Sequence, residues 1–320
     1  MPQVSVIMPC YNASAFLDRA IGSLRDQTFQ DWELLAIDDC STDDTAERLR
    51  EWSQRDPRVR NLRTARNGGP SVARNIGIGE ARGEWLAILD ADDAFKPERL
   101  AVLTALAEER AADFVFDGLI YYDDQEGKET GQSFQHTGIS PVSISELIHA
   151  ERPGSPLKFG FLKPMMRRAF IMDNALRYSE RLRFAEDFDL YARCLLSGAR
   201  GILDRRGFYV YTTQLGQVSG ARSQGTRTRF TPQTRVEIMD SLIADYGETI
   251  DSSTMETLLQ GRRWQVLYAD AHRLGELRRT GQWPAFASLA ARHPHALWRF
   301  ISRSRLFRSS GGGNNSAAGI

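Results

Sequence analysis

The stretch "EWLAILDADD", residues 84–93, decides how this chain is read. Trp85 to Leu89 are apolar and suit a buried strand. Asp90, Asp92 and Asp93 then crowd the point where that strand should end. Like charges at this spacing repel and are costly to desolvate, so something must compensate them. Two physical answers fit. "DDAFKPERL" (92–100) can be a loop feeding a helix, with Pro97 at the first helical position. Alternatively, the carboxylates gather around a divalent cation.

Working outward, the first 120 residues alternate short apolar strands with amphipathic helices. "VSVIM" (4–8), "WELLAI" (32–37), "VRNLRT" (59–64), "EWLAIL" (84–89) and "DFVFDGLIYYDD" (113–124) read as strands. "SAFLDRAIGSLRDQTF" (14–29, with Ser14 as cap), "STDDTAERLREWSQR" (41–55), "GPSVARNIGIGEARG" (69–83) and "PERLAVLTALAEER" (97–110) read as helices. Such alternation predicts βαβ units and a largely parallel sheet, whose ligands lie beyond the carboxyl ends of the strands. "PCYN" (9–12), "DDCSTDD" (38–44) and "DADD" (90–93) all fall at such ends. Three polar clusters on one rim are more than a helix start anticipates.

Beyond residue 120 the pattern loosens. "SISELIHA" (143–150) and "KPMMRRAFI" (163–171) read as short helices, and "EDFDLYARCLLSG" (186–198) as a longer one. "GFYVYTT" (207–213) reads as a strand, and "QLGQVSGARSQGTRT" (214–228) as a mobile polar loop. Residues 231–280 look helical. Residues 309–320, "SSGGGNNSAAGI", are expected to be a disordered tail.

A hydrophobic content of 42% permits an ordinary packed core in 320 residues. Net charge is zero but uneven: residues 262–308 hold ten Arg and no Lys against Asp270 and Glu276. A basic C-terminal part therefore adjoins an acidic body, and nothing in the pattern calls for nucleic acid. Cys10, Cys40 and Cys194 lack metal-site spacing and suit reduced thiols in the cytosol. "MPQVSVIMPCYN" lacks a basic region followed by a long apolar stretch, so no signal peptide is expected. No run of about 18 apolar residues predicts a spanning helix.

"VSVIMPCYNASAFLDRAIGSLRDQTFQDWELLAIDDCSTDDT", "NGGPSVARNIGIGEARGEWLAILDADD" and "AEDFDL", in that order over residues 3–220, resemble glycosyltransferase family 2. Within it, the chain looks most like bacterial exopolysaccharide glucosyltransferases of the succinoglycan type. The resemblance implies a GT-A fold, an α/β nucleotide-sugar-binding architecture with a mostly parallel central sheet. Here a helical C-terminal extension would be added. The expected division is a GT-A domain over 1–230, its nucleotide half at about 1–120 and its acceptor half at about 121–230. A helical extension over 231–308 and the tail would follow.

By the same resemblance, Pro9, Tyr11 and Asn12 pack on the uridine, and Asp38 or Asp39 accepts the uracil N3–H. A ring face and a carboxylate suit those two tasks. The family's usual Gly after the acidic pair is Cys40 here, which puts the tightness of that turn in question. The loop "RNGGPSVARN" (66–75) would lie beneath the nucleotide, with Gly69 allowing close approach and Arg74 meeting a phosphate or base. DADD would be the metal-binding DxD motif for Mg²⁺ or Mn²⁺: Asp92 contacts the metal, Asp90 the ribose or metal, and Asp93 is a second ligand. Asp187 would be the general base and Glu186 would orient the acceptor. Acids also suit the first turn of a helix, so capping is the alternative for this pair.

The implied reaction is an inverting, non-processive transfer from a UDP-sugar, with UDP-glucose foremost, to a lipid-linked glycan at the cytoplasmic membrane face. The family's processive members carry a QxxRW motif that is absent here. "YTTQLGQVSGARSQ" (211–224) lacks the His that relatives often place after the last strand. "WPAFASLAARHPHALWRFISRSRLFR" (283–308) mixes Trp and Phe with Arg292, Arg299, Arg303, Arg305 and Arg308. It reads either as a peripheral membrane element or as helices packed on the protein itself. The rival readings are a sugar nucleotidylyltransferase, whose Gly-rich loop after the first strand is missing, and an inactive membrane-surface scaffold.

Overall fold

The computed structural model describes residues 1–155, 157–213 and 231–309, with side chains as far as residue 301. These residues fall into two compact units, Met1–Leu147 with Leu157–Arg229 and Ile148–Pro156 with Phe230–Ile320. The short piece Ile148–Pro156 carries no sequence mark of belonging with the C-terminal helices. The loop expected at 214–228 and the tail from residue 310 lie outside the described residues.

The first unit opens with β1 (Val4–Cys10), α1 (Leu17–Arg25), β2 (Trp32–Asp38), α2 (Thr45–Arg55) and β3 (Val59–Arg63). α3 (Pro70–Glu80), β4 (Trp85–Ile88), β5 (Ala94–Phe95), α4 (Arg99–Glu109) and β6 (Phe114–Asp123) follow. Next come β7 (Lys128–Gln132), β8 (Ile139–Val142), α5 (Ile144–Ala150, whose residues from Ile148 on belong to the second unit), β9 (Met165–Arg167) and α6 (Arg168–Asp173). α7 (Glu186–Leu196) and β10 (Gly201–Thr213) complete the unit.

The sheet runs β3-β2-β1-β4-β9-β6-β10-β5, with β7 on β6 and β8 on β10. The parallel order expected from the alternation holds from β3 to β4 and between β6 and β10. β9 breaks it, running antiparallel to both β4 and β6. "KPMMRRAFI" is therefore not one helix: Met165–Arg167 form a strand and only Arg168 onward is helical. Two β-compatible Met side chains, 0% exposed, gain more from the sheet core than from a helix face. Because β9 opposes both neighbours, β4, β6 and β10 all point their carboxyl ends to the rim where β1 and β2 end.

Several local expectations shift for clear reasons. β1 runs past the expected "VSVIM" (4–8), pairing with β2 as far as Cys10↔Asp38. Pairing of β1 with β4 ends at Ile7↔Ile88, and the Ile7 carbonyl faces the β4 side. The missing N–H of Pro9 also faces that side, past the last pair, so no ladder bond is lost. Ser14 does not cap α1, which starts at Leu17 after Phe16; its N–H donates to Asp43 Oδ2 at 3.2 Å.

The second unit contains α8 (Pro232–Tyr246), α9 (Ser252–Arg279), α10 (Trp283–Arg292) and α11 (Pro294–Ser309). Asp251 caps α9 by accepting from the Ser253 and Thr254 N–H groups. Pro294 splits the basic segment into two helices, as a residue without an N–H and with a fixed φ tends to do. Among the described residues no helix is long and apolar enough to cross a membrane.

Candidate active site

The rim is assembled from the loops after β1, β2, β3 and β4 and from the start of α7. Asn12 adopts φ 50°, donates its N–H to Ser41 Oγ at 3.0 Å and accepts the Thr42 N–H at 2.9 Å. Its side chain thus ties the first loop to the second. Tyr11 beside it is 40% exposed, a ring face open to a ligand. Asp38 is wholly buried; its Oδ1 accepts the Ser41 N–H at 3.0 Å and its Oδ2 lies 3.2 Å from Arg63 Nε. Asp39 accepts from Thr64 Oγ1 at 2.9 Å, Gly68 N–H at 2.9 Å and Gly69 N–H at 2.6 Å. That carboxylate therefore shapes the "NGG" loop. Cys40 takes the left-handed backbone, φ 61°, that a glycine would hold without strain.

Gly69 has φ +87°, and a Cβ there would strike the guanidinium of Arg183. Arg183 in turn donates to the Gly68 carbonyl at 2.5 Å. Pro70 then begins α3, which points Arg74 into the protein with only 4% of its side chain exposed. Its two terminal nitrogens reach Asp90 Oδ1 at 2.8 Å and Glu186 Oε1 at 3.1 Å, with Asp187 Oδ1 at 3.6 Å. In this structure Arg74 is thus committed to carboxylates from two distant segments.

Lys163, just before β9, is the residue that sequence reading missed. Its ammonium lies 2.6 Å from Asp187 Oδ2 and 3.1 Å from Asp90 Oδ2, and the residue is 5% exposed. Burial pushes the Asp90 carboxyl up, but Lys163 and Arg74 overcome it and hold it well below the usual carboxylate range. Burial and the Asp187 charge push Glu186 up, against the pull of Arg74. The only trace of Lys163 in the sequence is a charge inside an otherwise apolar stretch ahead of Pro164.

The three acids of DADD part company. Asp90 faces Arg74 and Lys163. Asp93 turns inward: Tyr209 Oη donates to its Oδ2 at 2.7 Å and the Thr212 N–H to its Oδ1 at 2.8 Å. The same tyrosine oxygen accepts the Asp90 N–H at 3.1 Å, so Tyr209 fixes the motif's backbone. Both oxygens of Asp93, expected as a second metal ligand, serve β10 in this structure, so the carboxylate faces the sheet and not the rim. Burial and the Asp92 and Asp90 charges push its carboxyl far up. Asp92 is partly exposed, and its carbonyl accepts from Arg19 and, at 2.5 Å, from Thr212 Oγ1. Pro97 does not start a helix turn at N1 either; α4 begins at Arg99.

Burial, then the negative charges of Asp38, Asp90 and Asp92, push the Cys10 thiol well up. The ends of β1, β2 and β4 thus share one electrostatic site. No group of three His, Cys, Asp or Glu side chains suited to a metal exists among the described residues. The carboxylate of Asp92 suits a hard cation that takes one or two carboxylates and completes its shell with phosphates and water; Asp90, ion-paired here to Arg74 and Lys163, would join it by giving up one of those partners.

Residues 5–171, just over half the chain, match the family model described as "Glycosyl transferase family 2". The chain belongs to glycosyl transferase family 2. Among curated relatives, this family 2 chain is 33% identical over 226 residues to the succinoglycan biosynthesis protein ExoO of Rhizobium meliloti, covering 68% of the chain and 63% of ExoO. It is 35% identical to ExoU of the same organism over 202 residues, 62% of the chain and 58% of ExoU. The chain thus spans somewhat under two thirds of each. Among solved structures, Staphylococcus aureus TarS 1-349 in complex with UDP-GlcNAc matches with a TM-score of 0.70 at 21% identity, over 92% of this chain and 81% of that one. The mixed sheet with its flanking helices is the GT-A fold expected of a family 2 member.

Proposed function

We propose that the protein is an inverting, non-processive glycosyltransferase that moves a sugar from a UDP-sugar to a lipid-linked glycan in exopolysaccharide or surface polysaccharide biosynthesis. The observation that carries this reading is the meeting of Asp90 and Asp187 through Arg74 and Lys163. A donor-side carboxylate and an acceptor-side carboxylate, 97 positions apart in sequence, share one buried cluster.

In this reading the Tyr11 ring stacks on uracil and the Asp38–Asp39 pair receives the uracil N3–H. Pro9 and Asn12 hold the shape of that wall, and Gly69 lets the loop backbone approach the nucleotide. Asp92, with Asp90, would hold Mg²⁺ or Mn²⁺, which when bound neutralises the diphosphate of the departing UDP. Asp187 Oδ1 removes the proton from the attacking acceptor hydroxyl while Glu186 orients that hydroxyl. The new glycosidic C–O bond forms on the face opposite the breaking anomeric C–O(phosphate) bond. The configuration therefore inverts, and the proton rests on Asp187 until product leaves.

Trp283 and Trp298 are 59% and 72% exposed, and they support peripheral attachment to a membrane surface. The Phe286–Phe300 ring contact and the burial of Ala296 give the same helices a packed side within their own unit.

The test is UDP release from a panel of UDP-sugars, UDP-glucose and UDP-GlcNAc included, with and without chelator, followed by acceptor trials with the best donor. Metal-dependent UDP release from one donor is expected. Release from none of them, or release indifferent to chelator, rejects the assignment.

A further inference from the structure

The two oxygens of Asp187 are not equivalent. Oδ2 is held by Lys163 Nζ at 2.6 Å, whereas Oδ1 is buried and has no hydrogen-bond partner. Arg74 approaches Oδ1 only to 3.6 Å, beyond hydrogen-bond length. A carboxylate pinned at one oxygen has its other oxygen aimed. Resting on the glycosyltransferase reading above, we infer that Lys163 is the positioning residue that fixes Asp187 and presents Oδ1 to the acceptor hydroxyl.

The rest of the molecule is built to hold that lysine still. Arg99 and Asp117, both 0% exposed, form an ion pair at 2.7 Å, and the same Arg99 nitrogen donates to the Lys163 carbonyl at 2.5 Å. Tyr191 Oη, one helical turn beyond Asp187 on α7, donates to the Leu162 carbonyl at 3.0 Å. Thus α4, itself paired to β6, and α7 grip the two residues that deliver the ammonium. Replacing one partner of a buried pair leaves the other unpaired, which is why this grip keeps a single geometry. Asp90 takes the ammonium's other contact at 3.1 Å, so one cation spaces the donor-side acid from the base.

This role differs from structural support and from the Asp90 contact, because its effect on kcat runs through Asp187. The test is a double-mutant cycle on the full chain with its best UDP-sugar and acceptor. Lys163→Met should lower kcat for transfer by about 10²-fold, the scale of a misplaced reacting group, with little change in acceptor KM. In an Asp187→Asn background the same change should lower kcat by no more than about twofold, the noise of an additive cycle. Lys163→Arg should recover part of the loss. Additive losses, an effect confined to KM, or a Lys163→Met enzyme with the parent kcat each overturn the inference. If Lys163→Met fails to fold by circular dichroism, Lys163→Gln replaces it, and a Lys163→Gln enzyme with the parent kcat is equally fatal. A parent that releases UDP from no donor overturns the reading beneath; a parent that transfers normally beside an unaffected Lys163 variant overturns this inference alone.

Discussion

The rim of the first unit and the surface of the C-terminal helices use charge in opposite ways. At the rim, Arg74 and Lys163 meet Asp90, Glu186 and Asp187 with side chains 4–23% exposed. In the second unit, Arg262 pairs with Asp240 at 42% and 48% exposure, and Arg273 with Glu276 at 60% and 38%. Buried charges of this kind are costly unless each is matched, so they persist in one arrangement and can carry chemistry. Exposed ones are screened and interchangeable, suited to adhesion or solubility. The comparison teaches that the location of charge, not its amount, separates the candidate site from the helical surface.

The sharpest way to break the comparison is at Asp187, the proposed base. Asp187→Asn preserves shape, and transfer should fall by roughly 10²–10⁴-fold, the usual contribution of a general base. UDP binding, followed by calorimetry, should barely move; loss of UDP affinity along with activity would make Asp187 a nucleotide ligand instead. Next, Arg74→Met leaves three buried acids with one cation. Denaturant titration should report destabilisation of about 3–5 kcal/mol, the range for breaking a buried pair. A cost below 1 kcal/mol would mean that the cluster relaxes freely and fixes nothing.

Third in size is the membrane surface. Each of the five Arg in 292–308 can contribute about 1 kcal/mol near an anionic bilayer, with salt screening it. The full chain should float with anionic liposomes at low salt and release at high salt, and truncation after residue 282 should abolish flotation. Failure of the full chain to float, or unfolding on truncation, assigns these helices to packing alone. The smallest effect is expected at the exposed pair. Arg262→Ala should change stability by less than about 1 kcal/mol. A larger loss by thermal melting would show that Arg262 packs rather than merely pairs.

Much of the strand-and-helix frame of the first unit was legible in the sequence because its signals are local. Strand runs such as "VSVIM" and "WELLAI", Pro70 at a helix start and acids at strand ends each follow from neighbours in the chain. Even the substituted turn was legible: Cys40 stands where a glycine was expected, and its backbone is left-handed. The failures share a cause. "KPMMRRAFI" has helical propensity, but β9 is drawn into the sheet between β4 and β6, a pairing no local rule contains. Asp93 looks equal to Asp90 and Asp92 in "DADD", yet Tyr209 and Thr212, more than a hundred residues away, claim it.

The sequence by itself determined the chemistry available: carboxylates at strand ends, a basic aromatic C-terminal segment and an alternating core able to form an α/β sheet. Hydrophobic periodicity and turn chemistry act over a few residues, so these were decided before folding. Tertiary structure alone decided which acid faces which cation. It seated Lys163 between Asp90 and Asp187, turned Asp93 inward, and joined Ile148–Pro156 to the C-terminal helices. The physical reason is that burying a charge is tolerable only beside its opposite, and in this fold the opposite charge arrives from a distant strand or helix.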